Sequence, residues 1–138
     1  MATESVIGTG IDIVENARMR AMIKKWKNKF LDKVFLPNEK NYCESKSFPY
    51  RHYAGRFAVK EAVSKAFGTG LCPQIGLLDI EVVKNNKTGA PSVQLSTKAK
   101  KWAESIGVSK ILISLSHSQH YAVAHAIILS SRKKKRKS

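Results

Sequence analysis

Residues 56–70 read RFAVKEAVSKAFGTG, a helical pattern that stops at two glycines. Small apolar side chains recur at the spacing of one helix face. They are Val59, Ala62, Val63 and Ala66. Glu61 and Lys65 lie one turn apart on a different stripe of the same helix, where such a pair is either a weak surface ion pair or part of a chemical site. The segment therefore predicts a long packed helix that also carries candidate functional groups.

The flanking segments predict a mixed fold around this helix. The helix itself is expected from about Tyr50 to Phe67, with Gly68 and Gly70 as its stop. Further strands are predicted at 6–16, 77–85, 91–95, 110–117 and 120–129, and further helices at 17–35, 36–45 and 96–107. NKTG (86–89) is typical of a hairpin turn. We expect an α+β domain in which an antiparallel sheet packs against a long helix.

Length and charge limit the organisation of the chain. Its 138 residues suit one domain, expected over residues 1–130. The net charge is +15, and RKKKRK (132–137) supplies six of these charges, so 15 less 6 leaves +9 on the remainder. A basic domain favours anionic partners. Residues 131–138 are expected to be a disordered basic tail.

Cysteine use and hydropathy predict a cytoplasmic protein. Cys43 and Cys72 have neither a disulfide-like nor a metal-like spacing. The start of the chain lacks the pattern of a secretion signal. The longest apolar run, near YAVAHAIIL (121–129), is too short to span a bilayer, so no membrane span is expected.

Asp12 suggests what Glu61 could do. It is flanked by Ile11 and Ile13 in a predicted strand, where a carboxylate must be exposed, capping, paired or bound to a cation. Two carboxylates are too few for a zinc cage. They form a suitable partial shell for Mg²⁺, which keeps several waters and takes other ligands from phosphates. Lys65 and the GTG amides at 68–70 would then face the same anion.

Several longer motifs together resemble one enzyme family. GTGIDIVENARMR (8–20), AGRFAVKEAVSKAFGTG (54–70), LDIEV (78–82), TGAP (88–91) and ISLSHSQHYAVAHAII (113–128) occur in the order and spacing of the holo-[acyl-carrier-protein] synthases. These are the short class of the 4′-phosphopantetheinyl transferases. The resemblance runs from about Val6 to Leu129 and implies the transferase fold.

The resemblance implies a specific transfer reaction. Such enzymes move 4′-phosphopantetheine from coenzyme A to a serine of apo acyl carrier protein, and they support fatty acid biosynthesis. Asp12 and Glu61 match the family's magnesium ligands, and Lys65 matches its phosphate-contacting lysine. Gly68, Thr69 and Gly70 match the loop near the nucleotide. Either a metal-bound water or Glu61 would take the serine proton.

The resemblance also assigns binding surfaces. His117, in the strand 110–117, matches a family histidine on the phosphate side of coenzyme A, although a structural role is the alternative. The cationic first helix suits an acidic carrier protein, with Arg18 as the first candidate and Arg20, Lys24 and Lys25 as further ones. Short-class relatives form trimers with the coenzyme A cleft between subunits, so a homotrimer is expected.

Two other functions fit parts of the sequence. A nucleic-acid or polyanion-binding module would explain the charge, but helix-turn-helix, zinc-finger and RNA-recognition patterns are absent from the sequence, so nucleic acid is not the expected partner. The tail could still bind nucleic acid or anionic lipid. An inactive family scaffold is the second alternative, against which stand the intact Asp12, Glu61 and Lys65.

Overall fold

The computed structural model describes residues 2–133 and confirms the predicted α+β class. Its strands are β1 (Ala2–Glu15), β2 (Ile80–Lys84), β3 (Pro91–Leu95), β4 (Val108–His117) and β5 (Tyr121–Lys133). Its helices are α1 (Asn16–Trp26), α2 (Asn28–Val34), α3 (Pro37–Glu44), α4 (Pro49–Ala66) and α5 (Thr97–Ser105). A short 3₁₀ turn, Leu77–Asp79, leads into β2. No helix of this part of the chain is long and apolar enough to cross a membrane.

The central helix α4 packs on a three-stranded antiparallel sheet. The strand order is β1-β5-β4, and β2 and β3 form a separate antiparallel hairpin. Alternate residues of β5 from Ala122 to Ser130 are buried and face the core. They meet the apolar face predicted for α4, where Val59, Ala62 and Val63 are fully buried. The periodicity of the two segments therefore decides this contact.

Two glycines of β1 let the strand approach α4 closely. A β-carbon at Gly8 would lie 2.0 Å from the Ala66 carbonyl oxygen, and one at Gly10 would lie 2.0 Å from the Ala62 carbonyl oxygen. Any larger residue would push the strand away from the helix. This contact sets the distance between β1 and the polar stripe of α4.

The helix predicted over 17–35 is divided at Lys27. This residue has φ 49°, a left-handed conformation, and its amide closes α1 on the Ile23 carbonyl. Lysine is a good helix former, so the local sequence carries no signal for the break. The division allows Met19 of α1 and Leu31 of α2 to reach the same buried cluster. Tertiary packing therefore overrides local propensity here.

The last strand extends beyond residue 130. β5 continues to Lys133 and pairs with the start of β1. It thus includes the first three residues of the segment predicted as a tail. Residues 134–138 lie outside the described part, so the prediction of a disordered end stays a prediction.

Candidate active site

The site is built where β1 lies against α4. Lys65 Nζ of α4 donates to Asp12 Oδ1 at 2.9 Å and to the Ile11 carbonyl at 3.1 Å. The Asp12 side chain is mostly buried, whereas half of the Lys65 side chain remains exposed. The close approach at Gly10 brings the two elements together. The predicted neighbourhood of Asp12 and Lys65 is therefore present in one chain.

Glu61 lies beside this pair. It lines the same cavity as Asp12, with a volume of about 380 Å³. Burial and the negative charge of Asp12 raise the pKa of Glu61, and Lys65 partly opposes them. Two carboxylates that share a cavity repel each other unless a cation lies near both. Asp12 and Glu61 therefore bring two negative charges to the site, and Lys65 supplies one positive charge. A bound cation would offset the remaining negative charge.

The rest of this cavity is mostly apolar, and its lining also includes a third carboxylate, Glu15, and the ring of Tyr121. Met19 and Met22 of α1, Phe30 of α2 and Phe57 of α4 line it, and Arg18 is its cationic residue. We call this group, with Asp12, Glu61 and Arg18, the acidic cavity. A group that enters this cavity would contact these apolar side chains as well as the carboxylates. Arg18 is thus the predicted docking residue that lines the same cavity as Asp12 and Glu61.

The donor set fits a magnesium ion and does not fit a zinc cage. Between residues 2 and 133 no group of three or more His, Cys, Asp or Glu side chains is placed to hold a metal. Asp12 and Glu61 line one cavity and so provide two carboxylates to it. Mg²⁺ commonly takes one or two protein carboxylates and completes its shell with water and phosphate oxygens.

The loop after α4 ends the helix tightly. Gly68 and Gly70 have φ values of 81° and 63°, which favour glycine. Their amides donate to the carbonyls of Lys65 and Ser64, and the Thr69 hydroxyl donates to the Gly70 carbonyl. The two glycine amides thus serve the helix end instead of facing an anion. Open space surrounds both α-carbons, so a ligand could approach the loop closely.

The chain as a whole matches a known enzyme family. The family model of the 4′-phosphopantetheinyl transferase superfamily matches residues 8–126. The chain belongs to this superfamily. It is 48% identical over 126 residues to a holo-[acyl-carrier-protein] synthase of Ruminiclostridium cellulolyticum, covering 91% of this chain and 92% of that protein. A synthase of Protochlamydia amoebophila is 46% identical, with 88% and 96% covered.

Solved structures of transferases agree with this assignment. The holo-[acyl-carrier-protein] synthase of Neisseria meningitidis matches with a TM-score of 0.85 and 28% identity, covering 90% of this chain and 98% of that one. A synthase from Bacillus anthracis in complex with CoA (3′,5′-ADP) matches with a TM-score of 0.75 and 36% identity, covering 91% and 98%. The predicted family, fold and enzyme class are confirmed.

In this transferase chain, His117 lies apart from the acidic cavity. It lines a second cavity, of about 160 Å³, whose lining also includes Tyr42, Arg56 and Lys84. We call these four residues the basic cleft. The His117 ring lies against α4, since a β-carbon at Gly55 would be 2.5 Å from His117 Cε1. Partial burial and Arg56 lower the pKa of His117.

Arg56 is the functional candidate that the sequence analysis missed. Its guanidinium carbon lies 3.8 Å from the centre of the Tyr42 ring, and Lys84 Nζ lies 5.7 Å from the same centre. Arg56 is 5% exposed, and its buried Nε has no hydrogen-bond partner among the described residues. Arg56 lies three residues before Val59 and seven before Val63, so the helical periodicity already placed it on the packed face of α4. This position was a sequence signal that a buried arginine is present.

The remaining predicted docking residues divide between two surfaces. Arg20 and Lys24 line a groove beside α4 that also contains Tyr50 and Arg51, and Arg20 lies 5.1 Å from the Tyr50 ring centre. Lys25 Nζ instead lies over the exposed Trp26 ring. The transferase therefore presents Arg18 on the side of the acidic cavity and Arg20 and Lys24 on a neighbouring side.

Proposed function

We propose that this chain transfers the 4′-phosphopantetheine group of coenzyme A to a serine of apo acyl carrier protein. The products are holo acyl carrier protein and adenosine 3′,5′-bisphosphate. The observation that carries the proposal is the Asp12, Glu61 and Lys65 cluster, placed between β1 and α4 of the transferase fold. The names of the relatives and the complex of the Bacillus anthracis protein with CoA support it.

The acidic cavity would hold the reacting pyrophosphate. Asp12 and Glu61 would bind Mg²⁺, which supplies charge neutralisation at the pyrophosphate and orients it for in-line attack. Lys65 is tethered to Asp12 but half exposed, so its ammonium can reach a phosphate oxygen at the cavity mouth. It would stabilise negative charge that develops on the leaving phosphate.

Glu61 is the group of this chain that we propose as proton acceptor. The serine hydroxyl must lose its proton as it attacks phosphorus. In the described part of the chain Asp12 is paired with Lys65, whereas Glu61 forms no salt bridge, so Glu61 is the less engaged of the two carboxylates. Glu61 lines the cavity into which the serine would enter, and the apolar side chains of Met19, Met22 and Phe57 in the same lining would limit access of competing water.

The basic cleft would hold the nucleotide end of coenzyme A. Arg56, Lys84 and Lys46 lie over the Tyr42 ring, the last with Nζ 4.8 Å from the ring centre, and His117 lines the same cavity. Among residues 2–133 neither Arg56 nor Lys84 forms a salt bridge with a carboxylate. Positive charge without acidic partners, beside an aromatic ring, suits a phosphorylated nucleoside. The Gly68–Gly70 loop would contact the same substrate near Lys65.

The carrier protein would dock on the α1 side of the acidic cavity. Arg18 opens onto the cavity that contains Glu61, so a carboxylate bound there would bring the carrier's serine close to the phosphate. Arg20, Lys24 and Lys25 would attract the acidic carrier by longer-range electrostatics.

We further propose a homotrimer with an intersubunit cleft. The sheet face away from α4 is apolar and uncovered, with Ile11 and Ile13 each 61% exposed and Leu112 42% exposed. Ile13 also lines the acidic cavity, so a copy packed on this face would border that cavity. Such a copy could bring its own basic cleft toward the pyrophosphate, which explains why one chain separates the two cavities.

The cellular role follows from the acceptor. Holo carrier proteins support fatty acid biosynthesis, which is the role we propose. Cys43 and Cys72 are both free thiols, in keeping with a cytoplasmic location.

The deciding experiment is intact mass of apo acyl carrier protein after incubation with this chain, coenzyme A and magnesium. A gain of one phosphopantetheine group is expected, and it should disappear with a chelator and with Asp12→Ala or Glu61→Ala. No gain with several apo carriers would reject the proposed transfer and favour the inactive scaffold or a polyanion-binding module.

A further inference from the structure

A buried ion pair joins α3 to α4 at Lys60, which directly precedes Glu61 and projects from the helix about 100° away from it. Lys60 Nζ lies 2.7 Å from Glu39 Oε1, and both side chains are completely buried. Lys60 also donates to the carbonyls of Leu77 and Ile80, at 2.9 and 2.8 Å. All three ammonium protons of Lys60 therefore have acceptors.

Glu39 uses both of its carboxylate oxygens. Oε1 also accepts from the Leu36 amide at 2.8 Å, at the start of α3. Oε2 accepts from the Val82 amide of β2 at 2.9 Å. The pair thus holds together α3, α4, the 3₁₀ turn and β2. We call these contacts the Lys60–Glu39 knot.

Net stability does not explain this arrangement. Removing two charges from water costs about as much as their attraction returns, and apolar pairs of similar size often stabilise as well. Lys60 also lies among the apolar residues of α4, with its ammonium 5.6 Å from the Phe35 ring centre. What a hydrogen-bonded pair provides and an apolar pair lacks is direction, because each donor must meet its own acceptor.

The geometry of the knot relates it to the basic cleft. Arg56 lies four residues before Lys60 on the same face of α4, and Tyr42 lies three residues after Glu39 on the same face of α3. Lys84 lies two residues after Val82, on the same face of β2. Three of the four residues of the cleft therefore lie within four positions of a residue of the knot, on the same face of the same helix or strand.

We propose that Lys60 and Glu39 are positioning residues for coenzyme A: the knot sets the spacing of Tyr42, Arg56 and Lys84 in the basic cleft. The inference rests on the proposed function, since it assigns the cleft to the nucleotide end of coenzyme A. Neither Lys60 nor Glu39 is exposed, so neither contacts the substrate itself. Their effect must pass through the elements that they join.

Glu39→Gln tests the inference, because it keeps the side-chain size and one oxygen acceptor while removing the charge. We expect the KM for coenzyme A to rise about tenfold or more, as displaced binding groups would require. The KM for the carrier protein and kcat should change little. The double variant Lys60→Met, Glu39→Gln leaves no unpaired buried charge. It should show the same rise in the KM for coenzyme A with little change in the other constants, and it replaces the single variant if that variant does not fold.

Val63→Ala is the matched control. Val63 is fully buried on α4, so its truncation weakens the fold without touching the knot or the cleft. It should leave the KM for coenzyme A unchanged at a similar loss of stability. A folded Glu39→Gln protein with wild-type KM for coenzyme A, or a Val63→Ala protein with the same KM rise, would overturn the inference.

Failure of the proposed function has a different signature. If the wild-type chain transfers nothing to any carrier, amide hydrogen exchange still tests the knot. Exchange at Ile80–Lys84 should be faster in Glu39→Gln than in Val63→Ala at equal global stability. Equal exchange in the two variants would reject the positioning role independently of the reaction.

Discussion

Lys65 and Asp12 lie 53 positions apart in the chain, and the Lys65 ammonium donates to the Asp12 carboxylate at 2.9 Å. Their contact joins the edge strand β1 to the end of α4. Because the Lys65 side chain is half exposed, this ion pair contributes only about 0 to 1 kcal/mol to stability. Its position beside Glu61 gives it more weight in the proposed chemistry than in folding.

Lys65→Met should therefore lower transfer without unfolding the protein. Losing one preorganised donor to a developing anion lowers kcat by about 100-fold or more. The urea midpoint should stay near the wild-type value. Lys100→Met, which removes an exposed lysine of α5, is the matched control and should keep full activity. Equal activity of the two variants would remove Lys65 from the reaction.

Gly10→Ala should damage the site through the backbone. The new β-carbon would meet the Ala62 carbonyl oxygen at 2.0 Å and the Ala66 amide nitrogen at 2.7 Å. β1 must then move away from α4 and carry Asp12 away from Glu61. The free energy of unfolding should fall by about 1 to 3 kcal/mol because of overpacking.

Unfolding titrations and steady-state rates on the same preparations test this prediction. Ser92→Ala, at an exposed position of β3, should leave both quantities near wild type. A Gly10→Ala protein with normal stability and rate would contradict the close approach of β1 to α4.

Stability should decrease at acidic pH because of His52. Burial, His117 and Arg56 lower the pKa of His52 from 6.5 to about 4. Between these values the unfolded chain binds a proton that the folded chain does not, so the free energy of unfolding falls as pH falls from 6.5 to about 4. The contribution is complete above pH 6.5.

Urea unfolding at several pH values measures this slope. His52→Gln should flatten it, although His117, whose pKa is also lowered, retains part of the dependence. His120→Gln, at an exposed turn between β4 and β5, should behave like wild type. A His52→Gln profile that coincides with wild type would refute the assignment.

Arg18→Glu should weaken docking of the carrier protein selectively. Arg18 opens onto the acidic cavity, so reversing its charge places a carboxylate opposite an acidic partner. We expect the KM for the carrier to rise about tenfold, with a much smaller change in the KM for coenzyme A. Lys101→Glu on α5 makes the same charge change on another surface and serves as control. An unchanged carrier KM would exclude Arg18 from the docking surface.

Leu112→Asp should disrupt the proposed homotrimer. Leu112 lies on the uncovered sheet face, two strands away from Ile11 and Ile13. A buried charge at a subunit contact opposes assembly. Sedimentation should show wild-type trimers and smaller Leu112→Asp species with reduced transfer. A wild-type monomer with full activity would reject the trimer.

The sequence alone determined the family and the main elements of the fold, and it selected Asp12, Glu61 and Lys65 as candidate site residues. Helical and strand periodicity located α4 and β5 because their buried faces repeat at regular spacing. The candidate residues were recognised because they lie in long motifs of a family that the comparison confirmed over residues 8–126.

Only the tertiary structure decided what depends on contacts between distant segments. The left-handed Lys27 has no local signature, and the contact of Arg56 with the Tyr42 ring joins two separate helices, so packing partners outside each segment select both features. The same holds for the Lys60–Glu39 knot, whose members are 21 residues apart. A buried charge is stable only where a specific partner and acceptors converge on it, and that convergence is a property of the folded chain.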